Sequence, residues 1–289
     1  MVKINQIVVT GASGFVARNL RKYLSEKNIK LISISRNDFK QFKNEIKIVS
    51  KNYNEKSILP KIKNSDALIH LVGIGKQTIT TNYDMVNVEF TKHVIDLGKN
   101  AKISKFIFTS GLGASPNTSS GYFISKYKAE QLIVNSGLNY TIFRPSYIVG
   151  KNDLFTKYLK KQIKKGKIEI PGSGTYSIQP IYIKDVVQIL LQSTLQIKFK
   201  NKIIDLVGPE YITFEQYVKL FSKGTKIKIK KINLEDAYHT AIINSKSHFG
   251  VDDLNILIGN FKGNHNKLRK ITEMEFQSIK ELLKSGRLL

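Results

Sequence analysis

The chain contains 0 Cys, which excludes disulfides, thiolate nucleophiles and cysteine-ligated metals and is compatible with a reducing cytosol. It also lacks any apolar stretch approaching the ~20 residues of a membrane-spanning helix. The first strand is expected to start near Ile4, leaving no room for a signal peptide. A cytoplasmic protein is expected, with no transmembrane segment and at most peripheral contact with a membrane. Acidic residues are scarce: 22 Asp and Glu oppose 47 Lys and Arg, for a net charge of +25. Such an excess can attract nucleic acid, anionic lipid or a polyanionic substrate. The lysines are scattered, however, and no RNP-like motif, aromatic-basic stripe or recognition-helix pattern accompanies them, so no nucleic-acid partner is expected. The densest basic run, residues 157–165, carries Leu154, Phe155, Tyr158, Leu159 and Ile163 at helical spacing. That is the pattern of a packed helix with a solvated basic face. No pair among His70, His93, His239, His248 and His265 has metal-ligand spacing, and no metal site is expected.

What is present points to an α/β protein. With 289 residues, there is room for a nucleotide-binding domain carrying a smaller lobe. Thr10-Gly11-Ala12-Ser13-Gly14-Phe15-Val16-Ala17 follows the apolar run Ile7-Val8-Val9 and precedes a helix-like stretch. In this strand-turn-helix unit Gly11 permits the tight turn, Gly14 lets the backbone approach a pyrophosphate, and small Ala17 lets helix and strand pack closely. The free N–H groups of the helix then face the anion. Apolar runs at 30–35, 46–49, 67–72, 105–110 and 140–143 alternate with helix-like stretches at 83–99 and 123–135. Such alternation implies a Rossmann-type, doubly wound parallel sheet, with ligands beyond the carboxyl ends of the strands. The Rossmann domain is expected to span 1–207, interrupted by a lobe segment at about 151–178, with a small mixed C-terminal substrate lobe at 208–289. A strand at 226–230 and a closing helix at 272–283 are expected within that lobe.

An acid at the end of the second strand would hold the ribose 2′-hydroxyl of NAD. This chain has Ser35 there, followed by Arg36. A guanidinium favours the 2′-phosphate of NADP, with Asp38 the competing acid. Further on, Tyr122 precedes Lys126 by four residues, which in a helix puts both on one face. The ammonium would lower the phenol's pKa and make it a usable acid or base. Tyr23 and Lys27 share the spacing but lie in the first helix, well past its phosphate-facing end, and read as ordinary helix surface. Asp153 and Asp185 read as helix caps. Asn87 could support the catalytic groups through a helix irregularity, or make an ordinary helix hydrogen bond.

Taken together, these motifs resemble the short-chain dehydrogenase/reductase superfamily, specifically its extended and atypical branches related to nucleotide-sugar epimerases and dehydratases. Thr10 to Ala17 is similar to the family's glycine motif, His70-Leu71-Val72-Gly73 to its fourth-strand motif, and Asn87-Val88-Glu89-Phe90-Thr91 to its helix pattern. Ser110, Tyr122 and Lys126 match its triad, Arg144-Pro145-Ser146 the segment bordering the nicotinamide, and Leu206-Val207-Gly208-Pro209-Glu210 the end of the sheet domain. The resemblance implies that Tyr122 exchanges the substrate proton, Lys126 binds the nicotinamide ribose and tunes Tyr122, and Ser110 hydrogen-bonds the reacting oxygen. Thr109 takes the place of Ser110 if the register slips by one. The cofactor contacts it implies are Gly11, Ser13, Gly14, Phe15, Val16, Arg36, Leu71, Val72, Gly73, Asn87, Thr109, Tyr122, Lys126, Arg144, Pro145 and Ser146.

Two departures bear on the substrate. Only residues 111–121 separate Ser110 from Tyr122, a shorter loop than is usual in nucleotide-sugar enzymes, and Ile178 stands where those enzymes commonly offer an arginine to the diphosphate. Both are similar to the atypical group that includes the accessory subunit of respiratory complex I. The expected function is an NADP-preferring oxidoreductase or epimerase acting on a small-molecule secondary alcohol or ketone. The alternative is a catalytically silent NADP-binding accessory or sensor protein. Family members are often dimers, which leaves a homodimer open.

Overall fold

Ile7, Val8 and Val9 are all fully buried, so this strand is covered on both faces, as a strand inside a parallel sheet must be. The computed structural model describes residues 4–27, 29–54, 56–244, 247 and 249–288, and His248 lies outside them. The chain runs through β1 (Gln6–Thr10), α1 (Phe15–Ser25), β2 (Lys30–Ser35), β3 (Glu45–Val49), α2 (Leu59–Ile62) and β4 (Ala67–His70). A π-helical segment, Asp84–Glu89, leads into α3 (Phe90–Asn100), β5 (Lys105–Thr109), α4 (Gly121–Val134) and β6 (Asn139–Pro145). Next come β7 (Ile148–Val149), α5 (Leu154–Lys164), β8 (Lys167–Pro171), β9 (Ser177–Ile178), β10 (Ile181–Tyr182), α6 (Ile183–Leu195) and β11 (Lys202–Leu206). The remainder is β12 (Ile212–Thr213), α7 (Phe214–Phe221), β13 (Lys228–Ile232), α8 (Leu234–Ile243), α9 (Val251–Ile258), α10 (His265–Thr272) and α11 (Ile279–Lys284).

Seven strands form one parallel sheet in the order β11-β6-β5-β4-β1-β2-β3. Residues of α1 and α6 share one apolar cluster, and residues of α3 and α4 share another with the opposite side of the strands. Helices on both faces make this the doubly wound α/β sheet expected from the alternating pattern. The chain moves outward from β1 through β2 to β3 and then returns to β4 on the other side of β1. The β1/β4 junction is therefore the switch point, where a ligand crevice opens beyond the strand ends.

Segments from the middle and the end of the chain pair with each other above this sheet: β8 runs parallel to β13 and β9 antiparallel to β12. Buried Gln179 braces the junction, donating to the Gly208 carbonyl at 3.0 Å and accepting from the Gly263 amide at 2.9 Å. Gly208 is obligatory there, because a Cβ would lie 1.9 Å from the Pro180 carbonyl oxygen. Glu210 then accepts from Ser278 Oγ and the Lys280 amide, both at 2.8 Å.

Several expectations need correction. The closing helix is two helices, because Glu273 adopts a left-handed φ of 55° after α10 and Ser278 caps a fresh start at α11. The strand at 226–230 lies two residues later, at β13. Leu154 is exposed rather than packed: it is the first residue of α5 after the Asp153 cap, and the buried side of that turn is taken by Phe155 and Thr156. Asp185 lies inside α6 rather than capping it. Its carboxylate accepts from the Gln277 amide at 3.0 Å and is pushed up to about 6 by burial.

Candidate active site

Gly11 leaves β1 with φ 73°, and a Cβ there would stand 2.7 Å from the Leu71 carbonyl oxygen and 2.9 Å from the Val72 amide nitrogen. Glycine is thus demanded twice, by a left-handed backbone and by the close approach of the chain leaving β4. Gly14 is the N-cap of α1, with no side chain to cap it and no acidic residue in the first turn. The leading N–H groups of α1 keep their hydrogen-bonding capacity for an anion. Ser13 accepts from Ser35 Oγ at 2.9 Å, tying the turn to the end of β2. Buried Arg21 holds the turn from beneath, donating to the Ala12 carbonyl at 2.8 Å while paired with Glu45. Phe15 and Val16 pack against the core. An open, acid-free cradle of this kind fits the pyrophosphate of a dinucleotide.

Arg36, just past β2, places its guanidinium 5.2 Å from the centroid of the Phe90 ring and makes no ion pair among the described residues. Asp38, its competitor, is spent on Lys47 at 2.8 Å.

A second cluster gathers at the ends of β4 and β5. Ser110 is buried, and its hydroxyl has no hydrogen-bond partner among the described residues. An orphaned buried hydroxyl is costly unless a ligand satisfies it. Lys126 Nζ donates to the Thr109 carbonyl at 3.2 Å. Gly73 leaves room for that ammonium, since a Cβ there would lie 2.8 Å from Nζ. A Cβ on Gly111 would meet the Tyr122 ring at 3.3 Å. Ser110, Tyr122 and Lys126 are thus brought together around residues 109–111, as the spacing requires.

Their electrostatics differ from the expectation. Burial pushes the Tyr122 phenol up to about 12 and the Lys126 ammonium down to about 8, partly opposed by Glu130. The ammonium does not lower the phenol, because desolvation favours the neutral form of each group.

Asn87 sits in the π-helical segment Asp84–Glu89, a helix irregularity. Its side chain accepts from the Ile74 amide at 2.9 Å and donates to Ser125 Oγ at 2.9 Å, bracing the loop after β4 against α4. His70 is buried between the hydroxyls of Thr10 and Thr91. Burial first, then the Lys126 charge, holds it down at about 3.

Arg144 is engaged elsewhere. Its guanidinium makes two bonds to buried Glu130, at 2.9 and 2.6 Å, so it braces β6 against α4. Pro145 and Ser146 do reach the crevice, where they line a cavity of about 190 Å³ together with Tyr122, Phe123 and Tyr147. The far wall comes from Ile178, the residue at the position where related enzymes commonly offer an arginine, and from Asp253, Ile256 and Phe261, which the motif pattern did not single out for the site. Helix α9 forms part of it, anchored by Ser120 Oγ donating to Asp252 Oδ1 at 2.6 Å.

The geometry therefore defines a dinucleotide-type crevice with a Ser-Tyr-Lys cluster at its inner end. Residues 7–204 match the model of the NAD dependent epimerase/dehydratase family, and the chain belongs to that family. Among curated relatives it is 25% identical over 236 residues to NADH dehydrogenase (ubiquinone) 1 alpha subcomplex subunit 9, mitochondrial, of Dictyostelium discoideum, covering 78% of this chain and 65% of the relative. It is 26% identical to the Mus musculus protein of that name, covering 57% of this chain and 44% of the relative. The chain thus spans less than two thirds of either relative. Among solved structures, the UDP-glucose 4-epimerase of Thermotoga maritima with UDP-glucose superposes with a TM-score of 0.73 at 18% identity, covering 96% of each chain. The Bordetella bronchiseptica enzyme WbmH in complex with NAD+ gives 0.74 at 12% identity, covering 98% of this chain and 96% of that one. Both likenesses concern the fold. No helix among the described residues is long and apolar enough to cross a membrane.

Proposed function

We propose that the protein is an NADP-preferring oxidoreductase that interconverts a secondary alcohol and a ketone. The observation that carries this proposal is the orphaned, buried Ser110 hydroxyl beside Tyr122 and Lys126. Gly11, Ser13 and Gly14 would hold the pyrophosphate, Arg36 the 2′-phosphate, and Lys126 the nicotinamide ribose. When bound, the nicotinamide supplies a two-electron hydride donor or acceptor. Ser110 donates a hydrogen bond to the reacting oxygen, and Tyr122 moves the proton at that oxygen. Burial keeps Tyr122 protonated, the form in which the phenol donates its proton when a ketone is reduced. Arg36→Ser should weaken NADPH binding about tenfold or more and leave NADH binding unchanged, read by fluorescence titration. Equal losses for both would remove the assignment to NADP. Tyr122→Phe should keep cofactor affinity and abolish turnover on any substrate found.

A second function rests on a specific feature, the commitment of Lys126 to the Thr109 carbonyl, together with the kinship to respiratory complex I subunits. Under it the protein holds NADP as a structural ligand within a larger assembly. Bound NADPH that no substrate panel oxidises, together with stable capture of a respiratory partner, would select it.

A further inference from the structure

The chain carries 47 Lys and Arg, yet none lines the cavity beside Tyr122. Its walls are chiefly the rings of Phe123, Tyr147 and Phe261 and the side chains of Ile178 and Ile256, and its ionisable carboxylate is Asp253. A diphosphate is recognised by charge-assisted bonds from cations or by a helix N-terminus. The helix that begins at this wall, α9, carries Asp252 and Asp253 in its own first turn. Asp253 Oδ2 accepts from the amide of Gly250, the N-cap of α9, at 2.8 Å, so the chain's own acid already occupies one donor at this terminus. A phosphate arriving there meets the Asp252 and Asp253 carboxylates, offset in part by Lys76 beside Gly250. The cavity has a volume of about 190 Å³ and is partly open to solvent. That volume is close to the ~150 Å³ that suffices for one benzene-sized ring.

We propose that this cavity takes a compact, uncharged, ring-sized hydroxy or oxo compound without a phosphate, with Asp253 as the specificity residue that accepts a hydrogen bond from a second ligand hydroxyl. The proposal rests on the oxidoreductase function above for the identity of the reacting group, and on the cavity walls alone for ligand class. Asp253 acts in two ways. It rewards a neutral donor across the ring from Tyr122, and it repels the phosphates that a nucleotide sugar would bring.

The test uses the full chain and three probes: trans-1,2-cyclohexanediol, cyclohexanol and UDP-glucose, each titrated by ligand-observed NMR with and without NADPH. The diol should bind, cyclohexanol should bind more weakly, and UDP-glucose should give no signal. Asp253→Asn should weaken the diol about tenfold, the scale of a hydrogen bond to a charged group, and leave cyclohexanol unchanged. Ile256→Trp, which fills the cavity, should abolish binding of both while circular dichroism confirms the fold. Binding of UDP-glucose that Ile256→Trp removes would overturn the proposal, as would absence of diol binding to folded, NADPH-loaded protein. Diol binding without any NADPH binding would instead refute the oxidoreductase function and leave the ligand class standing.

Discussion

Substituting Gly14→Asp separates folding from binding at the glycine turn. The native N-cap of α1 has φ −69° and ψ 164° and no side-chain cap, a backbone that aspartate adopts freely. Its carboxylate would accept from the leading N–H groups and stabilise α1 by about 0.5 kcal/mol over glycine. The added Cβ meets the Gly11 carbonyl oxygen at 3.2 Å, a contact that returns a few tenths of a kcal/mol. Net stability should therefore change by less than about 0.5 kcal/mol, measured by urea unfolding. Affinity should fall much further, because the carboxylate takes the anion's donors and adds a like charge. At roughly 4–5 Å and an effective dielectric near ~40, two phosphate charges raise the binding free energy by about 2–4 kcal/mol after screening, or roughly 30- to 1,000-fold in Kd. Fluorescence titration with NADPH and NADH reads the loss, which should be equal for the two. An affinity within threefold of the parent chain, at preserved stability, would refute the assignment of this turn as the anion cradle.

Gly11→Ala should cost about 2–5 kcal/mol of stability in urea unfolding with no ligand present, since the new methyl is both left-handed and pressed against the Leu71 backbone; a loss under 1 kcal/mol would contradict that packing. Glu130→Gln should lower the Tm by about 4–10 °C, because it leaves Arg144 half-buried without its carboxylate while some solvent screening remains. Lys126 titrates near 8 in the fold and near ~10.4 unfolded. The unfolded chain therefore binds more protons between those values, and stability should rise as pH increases from about 8 to 10.4. Lys126→Met should remove that slope from a difference scan of unfolding free energy against pH, and an unchanged slope would assign it to other groups.

Much of the sheet domain was legible because its determinants are local. The β1-Gly11-α1 unit lies within 20 residues, and its glycines are demanded by backbone geometry that composition alone announces. The i, i+4 placement of Tyr122 and Lys126 followed from helix periodicity. Their protonation did not, because the rings packed against them include Tyr83 and Phe108, neighbours distant in sequence. The ion pair of Arg144 was hidden for a similar reason: its partner Glu130 lies 14 residues away on α4, and no pattern distinguishes an ion pair from a ligand contact. The cavity's far wall was the least legible part. Asp253, Ile256 and Phe261 reach the crevice only because Ser120 and Gln179 draw the lobe onto it.

The cost of Lys126 bears on whether the site is chemically silent. Burying an ammonium against a carbonyl and a ring face leaves it short of partners: one hydrogen bond to Thr109 and a Phe108 ring at 4.9 Å, where its three donors ask for more. A purely structural helix position would be better served by methionine, which fills similar space without desolvating a charge. Ser110, also buried and with no hydrogen-bond partner for its hydroxyl among the described residues, follows directly on Thr109, whose carbonyl Lys126 touches. Two under-satisfied polar groups converging on one backbone segment are expensive in the empty protein and become favourable once a hydroxyl-rich ligand lies between them. That economy explains Gly73 as well, since any larger residue would push the ammonium away from the position it holds. The proposed ligand function gives both costs a physical reason that a purely structural role for Ser110 and Lys126 does not.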